Sequence, residues 1–109
     1  MTGWVEVGTI DGIPPGGYKI VEDRGTFIAV FNVGGTFYAI EDVCTHDGAE
    51  LAGGEIDGDV VICPRHGSRF CIKTGKALTP PAYEPTAVFP VRVENGVVST
   101  RDDRWDRAS

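Results

Sequence analysis

Long apolar runs are missing from this 109-residue chain: no stretch approaches the roughly 18 apolar residues that a membrane-spanning helix needs. Basic residues are few. Ten Lys and Arg stand against 16 Asp and Glu, a formal net charge of −6, so the surface is ill suited to neutralising a phosphate backbone or an anionic bilayer. Neither nucleic acid nor a membrane is therefore expected as a partner. No window longer than ten residues holds apolar positions at i, i+3, i+4 and i+7, which argues against a long amphipathic helix. There is no G-x-G-x-x-G fingerprint and no P-loop to cradle a nucleotide. Cysteine is scarce and odd in number, at three. The opening MTGWVEVGTIDG shows neither the basic nor the apolar segment of a secretion signal. Reduced thiols in a cytoplasmic setting are expected, rather than a disulfide framework.

Fifteen glycines and seven prolines divide the chain into short apolar stretches at 4–7, 18–21, 27–31, 37–40, 60–62, 70–72, 88–93 and 97–100. Rich in Val, Ile, Phe and Tyr, these read as strands. Gly34-Gly35, Asp57-Gly58 and Asn95-Gly96 each lie between two such stretches and mark hairpins. The expected fold is an all-β antiparallel sandwich or barrel of roughly eight to ten strands in a single domain, 1–109. The charged tail 101–109 is expected to fray unless Trp105 ties it down.

Both histidines and two of the three cysteines fall into two short clusters, Cys44-x-His46 and Cys63-x-x-His66. Each cluster follows a strand-like stretch, which places the pairs on loops. Thiolate and imidazole together are ligands for zinc or for an iron–sulfur centre. A tetrahedral zinc site accepts two Cys and two His, but common zinc patterns pair like with like and often use a helix. A [2Fe–2S] cluster held by two Cys on one iron and two His on the other accounts for one ligand of each kind per loop. Cys71, inside Phe70-Cys71-Ile72, has no histidine at ligand spacing and reads as a packing residue.

Cys44-Thr45-His46-Asp47-Gly48, the sixteen residues 47–62, and Cys63-Pro64-Arg65-His66-Gly67 closely resemble the Rieske iron–sulfur motif, C-x-H…C-P-x-H-G. Leu51, Gly54, Phe70, Thr74-Gly75 and Pro81 extend the match. The resemblance implies a Rieske-type antiparallel β domain with a small cluster-binding subdomain, about 42–82, inserted between strands. It implies Cys44 and Cys63 on the inner iron, and His46 and His66 on the outer one. It also places Gly48, Gly67, Ser68 and Pro81 beside the cluster, with Pro80-Pro81 in a third covering loop.

Respiratory Rieske proteins carry a disulfide between the two cluster loops and a tyrosine hydroxyl near a ligand sulfur. The matching positions here are Ala49, Arg65 and Phe70, while Ser68 keeps a hydroxyl. The resemblance therefore points to a low-potential soluble ferredoxin of the kind found in bacterial aromatic-ring-hydroxylating dioxygenase systems. Such a protein passes single electrons from a flavin-dependent reductase to a terminal oxygenase and is not itself an enzyme. Asp47 and Glu50 beside Arg65 and Arg69 give a docking face of mixed sign, suited to transient encounters of a monomer. The rival readings are an accessory Rieske-like subunit of another reductase, such as nitrite reductase, and a zinc-stabilised β interaction module.

Overall fold

A computed structural model of the chain describes residues 3–45, 50–65, 67–80 and 82–104. The short apolar stretches, with one strand at 56–57 that was not expected, become ten strands: β1 (Val5–Thr9), β2 (Tyr18–Asp23), β3 (Thr26–Val33), β4 (Thr36–Glu41), β5 (Ile56–Asp57), β6 (Val60–Ile62), β7 (Arg69–Cys71), β8 (Val88–Phe89), β9 (Val91–Glu94) and β10 (Val97–Thr100). They form three antiparallel sheets, in the orders β1-β10-β9, β2-β3-β4-β8 and β5-β6-β7. The all-β reading holds. Helical structure among the described residues is confined to a single 3-10 turn, Ile10–Gly12, and to residues 103–104.

β3 organises the packing. Its side chains alternate between two cores, because successive residues of a strand point to opposite faces of the sheet. Ala29 and Phe31 enter a core shared with Val61 and Phe70 of the β5-β6-β7 sheet. Ile28 and Val30 enter a second core with Val7 and Val98 of the β1-β10-β9 sheet. All four β3 residues are at most 1% exposed, and full burial of a side chain such as Phe31 contributes about 2–3 kcal/mol.

The hairpins at Gly34-Gly35 and Asn95-Gly96 close where expected, both residues of each having positive φ. At Asp57-Gly58 the turn lies one residue later, since Asp57 is still paired with Val60. The β2–β3 hairpin turns on Arg24-Gly25, where Arg24 has φ +53°. Sequence reasoning passed over it because arginine is not a turn residue.

The stretch 88–93 is two strands, not one. Pro90 has no N–H to donate to a ladder, and the chain changes sheet there: β8 pairs with β4, while β9 pairs with β10. The Pro90 carbonyl accepts a hydrogen bond from Thr100 Oγ1 at 2.8 Å. β8 also brings the chain back beside the strand it left. Residues 42–87 depart from the end of β4 and return with Ile40 opposite Val88 and Ala39 opposite Phe89.

The expectation of a frayed tail fails for 101–104, while Trp105 lies outside the described residues. The Asp102 amide donates to Asp23 Oδ2 at 2.8 Å, and Thr26 Oγ1 donates to Asp102 Oδ2 at 2.7 Å. The Arg104 guanidinium donates to both Asp102 oxygens at 2.9 Å and reaches Glu41 Oε1 at 3.3 Å. This clasp fastens the last described residues across the β2–β3 turn and the end of β4.

Hydrogen bonds from Arg104 hold the buried Asp102 carboxyl down, against the opposing effect of burial, with the Thr26 hydroxyl helping. Its pKa falls from 3.8 to about 2. A depressed carboxylate pKa stabilises the fold above the unfolded value, and that contribution disappears as pH falls through the folded value. Asp102 should thus contribute on the order of 2 kcal/mol above about pH 5, roughly half of it at pH 3 and little below about pH 2. Denaturant midpoints should show Asp102→Asn less stable than the parent at pH 6, with the gap narrowing on acidification. A gap independent of pH would contradict the assignment.

Candidate metal centre

The first ligand-bearing loop leaves β4 at Asp42, whose backbone amide donates to Phe27 O at 2.8 Å. The Asp42 side chain is 7% exposed, and its Oδ1 accepts from the amides of Leu51 and Ala52 at 2.8 and 2.7 Å. These bonds draw the two ends of the loop together and satisfy two buried backbone donors. Inside the loop Cys44 is fully buried, and Thr45 Oγ1 donates to Glu84 O at 2.6 Å.

The second loop begins where Pro64 ends β6. The Cys63 amide donates to Ser68 O at 2.7 Å, and the Gly67 amide donates to Cys63 O at 3.0 Å. The turn needs φ +76° at Gly67, a left-handed conformation in which a side chain is strained. Ser68 is fully buried, and its Oγ accepts from the Ala82 amide at 3.2 Å. Accepting that bond leaves its O–H available to donate. The third loop is thus tied to the first through Thr45 and Glu84, and to the second through Ser68 and Ala82.

Cys44 and Cys63, 0% and 1% exposed, belong to one apolar core with Leu51, Phe70 and Ile72. Neither is in a disulfide. Two reduced thiols sharing one dry core, each on a loop held at its base, fit a soft metal centre whose sulfur ligands must be shielded from water. Phe70, fully buried in the same core, brings an aromatic ring with no hydroxyl.

Cys71 lies on β7, half-buried and outside that core. Burial pulls its pKa up, but hydrogen bonds with the Thr74 side chain and with the Thr74 and Lys73 backbones outweigh this, and its thiol lies below the ordinary value. Of the other residues the sequence pointed to, Gly67 and Ser68 sit in the second loop as described. His46, Gly48, Asp47, Ala49, His66 and Pro81 lie outside the described residues. Among the described residues no three His, Cys, Asp or Glu side chains are grouped to hold a metal ion. Asp42 and Thr45 were missed as loop fasteners. The only signal for Asp42 was a carboxylate two residues before a candidate ligand.

Two buried thiols on loops fastened to each other, in an all-β domain, are the sulfur half of a candidate metal centre. The family model of the Rieske [2Fe-2S] domain matches residues 3–90, and the chain belongs to that family, whose cofactor is one [2Fe–2S] cluster. It is 45% identical over 87 residues to the biphenyl dioxygenase ferredoxin subunit of Pseudomonas sp. (strain KKS102), covering 79% of this chain and 80% of that one. It is 47% identical over 83 residues to the 3-phenylpropionate/cinnamic acid dioxygenase ferredoxin subunit of Escherichia coli (strain K12), covering 75% and 78%.

Among solved structures, the chain is similar to one in a complex of reduced oxygenase and oxidized ferredoxin in carbazole 1,9a-dioxygenase. The TM-score is 0.87 at 39% identity, with 93% of this chain and 94% of that one covered. The carbazole 1,9a-dioxygenase ferredoxin of Nocardioides aromaticivorans IC177 superposes with a TM-score of 0.85 at 28% identity, covering 90% and 96%. No helix among the described residues is long and apolar enough to cross a membrane.

Proposed function

We propose that this chain is a one-electron carrier of the ferredoxin kind, passing electrons from a flavin-dependent reductase to a terminal ring-hydroxylating oxygenase. The observation that carries the reading is the burial of Cys44 and Cys63 in one apolar core on loops whose sequence also supplies His46 and His66. The relatives support it, because they are ferredoxin subunits of dioxygenases. In this reading residues 42–82 are the cluster-binding unit of a single domain, and the chain works as a cytoplasmic monomer that meets its partners transiently. Cys44 and Cys63 would hold one iron, and His46 and His66 the other. When bound, the cluster supplies a reversible one-electron couple.

The chain's own residues do the rest. The core around Cys44 and Cys63 excludes water from the sulfur side. Gly67 and the Cys63–Ser68 bonds hold the second loop tight, and the buried Ser68 hydroxyl has a proton to donate. The exposed charges near the loops, Glu50, Arg65 and Arg69, are mixed in sign. That suits brief docking to more than one partner.

Imidazole ligation raises a [2Fe–2S] potential into a window of roughly −150 to +300 mV, where hydrogen bonds to the sulfurs set the final value. Phe70 brings no hydroxyl to that core, and Ser68 is the hydroxyl retained. The expected midpoint is therefore below about 0 mV. Purified protein should be brown, with iron and sulfide in equal amounts and a reversible one-electron wave in film voltammetry. It should also relay electrons from a flavin reductase to a ring-hydroxylating oxygenase. A colourless protein carrying one zinc would refute the carrier role, and a strongly positive midpoint would refute the low-potential assignment.

A further inference from the structure

We infer that the buried carboxylate of Asp42 is an electrostatic regulator of the redox centre, holding its potential down. The inference rests on the reading of Cys44 as a cluster ligand. Asp42 precedes Cys44 by two residues, and two trans peptide links place their Cα atoms no more than about 7.6 Å apart. Both hydrogen-bond donors that reach Asp42 among the described residues are neutral backbone amides, those of Leu51 and Ala52. Leu51 and Ala52 themselves belong to the core that holds Cys44 and Cys63.

Asp42 lines a small surface groove together with two other carboxylates, Glu41 and Glu50. Glu41 is engaged by Arg104 at 3.3 Å, and Glu50 is exposed to solvent. Asp42 differs from both. It is 7% exposed, and no lysine or arginine among the described residues forms an ion pair with it. A buried carboxylate held by two backbone amides, with no ion pair to a lysine or arginine among the described residues, is weakly screened and acts on its surroundings. Negative charge disfavours an added electron nearby, so Asp42 opposes reduction. Glu50, at the far end of the same loop, does so much less.

The test is the midpoint potential of loaded protein, read with the thermal midpoint, for Asp42→Asn and for Glu50→Gln. Asparagine keeps an Oδ1 that can accept both amide bonds while removing the charge. Asp42→Asn should shift the electron-sharing equilibrium toward the reduced state by about tenfold, which is 59 mV for one electron. Glu50→Gln should shift it by less than about threefold, half of that on the logarithmic scale. An Asp42→Asn midpoint equal to the parent's, in protein that holds its cluster, would overturn the inference and leave Asp42 a loop fastener only. Asp42→Ser, also neutral and able to accept one amide, is the second variant should the first bind cluster poorly. Loss of cluster in both would equally overturn it, since Asp42 is assigned to tuning and not to retention. Failure of the parent chain to take up any iron–sulfur cluster would refute the ligand reading itself, and is seen before any variant is made.

Discussion

Cys63→Ala is expected to give a folded, colourless protein with no stoichiometric iron, whereas Cys71→Ala keeps both colour and iron. The two cysteines are only eight residues apart, Cys63 directly after β6 and Cys71 the last residue of β7, yet their surroundings differ. Cys63 is 1% exposed in the core that also holds Cys44. Cys71 lies half-buried outside that core, its thiol engaged by the Thr74 turn. Removing one buried sulfur costs the fold only about 1 kcal/mol of packing, so far-ultraviolet dichroism should remain that of a β protein. The cluster, however, loses one of four ligands on the side that water does not reach. Iron and sulfide assays with visible absorption settle it: full iron in Cys63→Ala, or its loss in Cys71→Ala, would overturn the assignment of the sulfur ligands.

Gly75→Ala should be among the most damaging single-methyl additions in the chain. Gly75 has φ +74°, and a Cβ there would run into the carbonyl oxygen of Thr86. The residue is held on both sides: its amide donates to Cys71 O at 2.7 Å, and its carbonyl accepts from the Thr86 amide at 2.8 Å. Alanine therefore meets a left-handed backbone cost of about 1–2 kcal/mol and a clash with main chain that cannot rotate away. Relief of that clash requires breaking a buried hydrogen bond, at about 1–3 kcal/mol more. A total near 3 kcal/mol is expected, or a thermal midpoint lower by on the order of 15 °C in a domain of this size. Gly34→Ala is the comparison. Gly34 has φ +61° but no atom within 4 Å of an added Cβ, so only the backbone cost of about 1–2 kcal/mol applies. Equal losses in the two variants would show that contact with Thr86 does not matter.

Gly75 also shows where sequence reading stops. Thr74-Gly75 was legible as part of a family match, but the contact that requires glycine comes from Thr86, eleven residues later and in another segment. The hairpins were legible because their cause is local. Two residues with positive φ between apolar stretches announce themselves, as at Gly34-Gly35 and Asn95-Gly96. Arg24-Gly25 escaped because the pairing of β2 with β3, from Tyr18↔Phe31 to Asp23↔Thr26, holds an arginine in a conformation it does not favour. The break at Pro90 was visible as a proline in a strand-like run, but not that the chain changes sheet there, which depends on what β4 and β10 offer as partners.

The sequence by itself determined the chemistry. Ligand type, ligand spacing and the absence of nucleotide motifs, long helices and basic surface are one-dimensional facts, and they carry the metal-binding class and the all-β architecture. Only the tertiary structure decided which of three cysteines share a dry core and which aspartates are buried. Spacing to a histidine already set Cys63 apart from Cys71, but Asp42, Asp57 and Asp102 look alike along the chain. Burial and hydrogen bonding separate them. Asp102 is clasped by Arg104, Asp42 receives backbone amides close to Cys44, and Asp57 stays in solvent. A charge takes its physical effect from the water and counter-ions around it, and those are set by contacts between residues far apart in sequence.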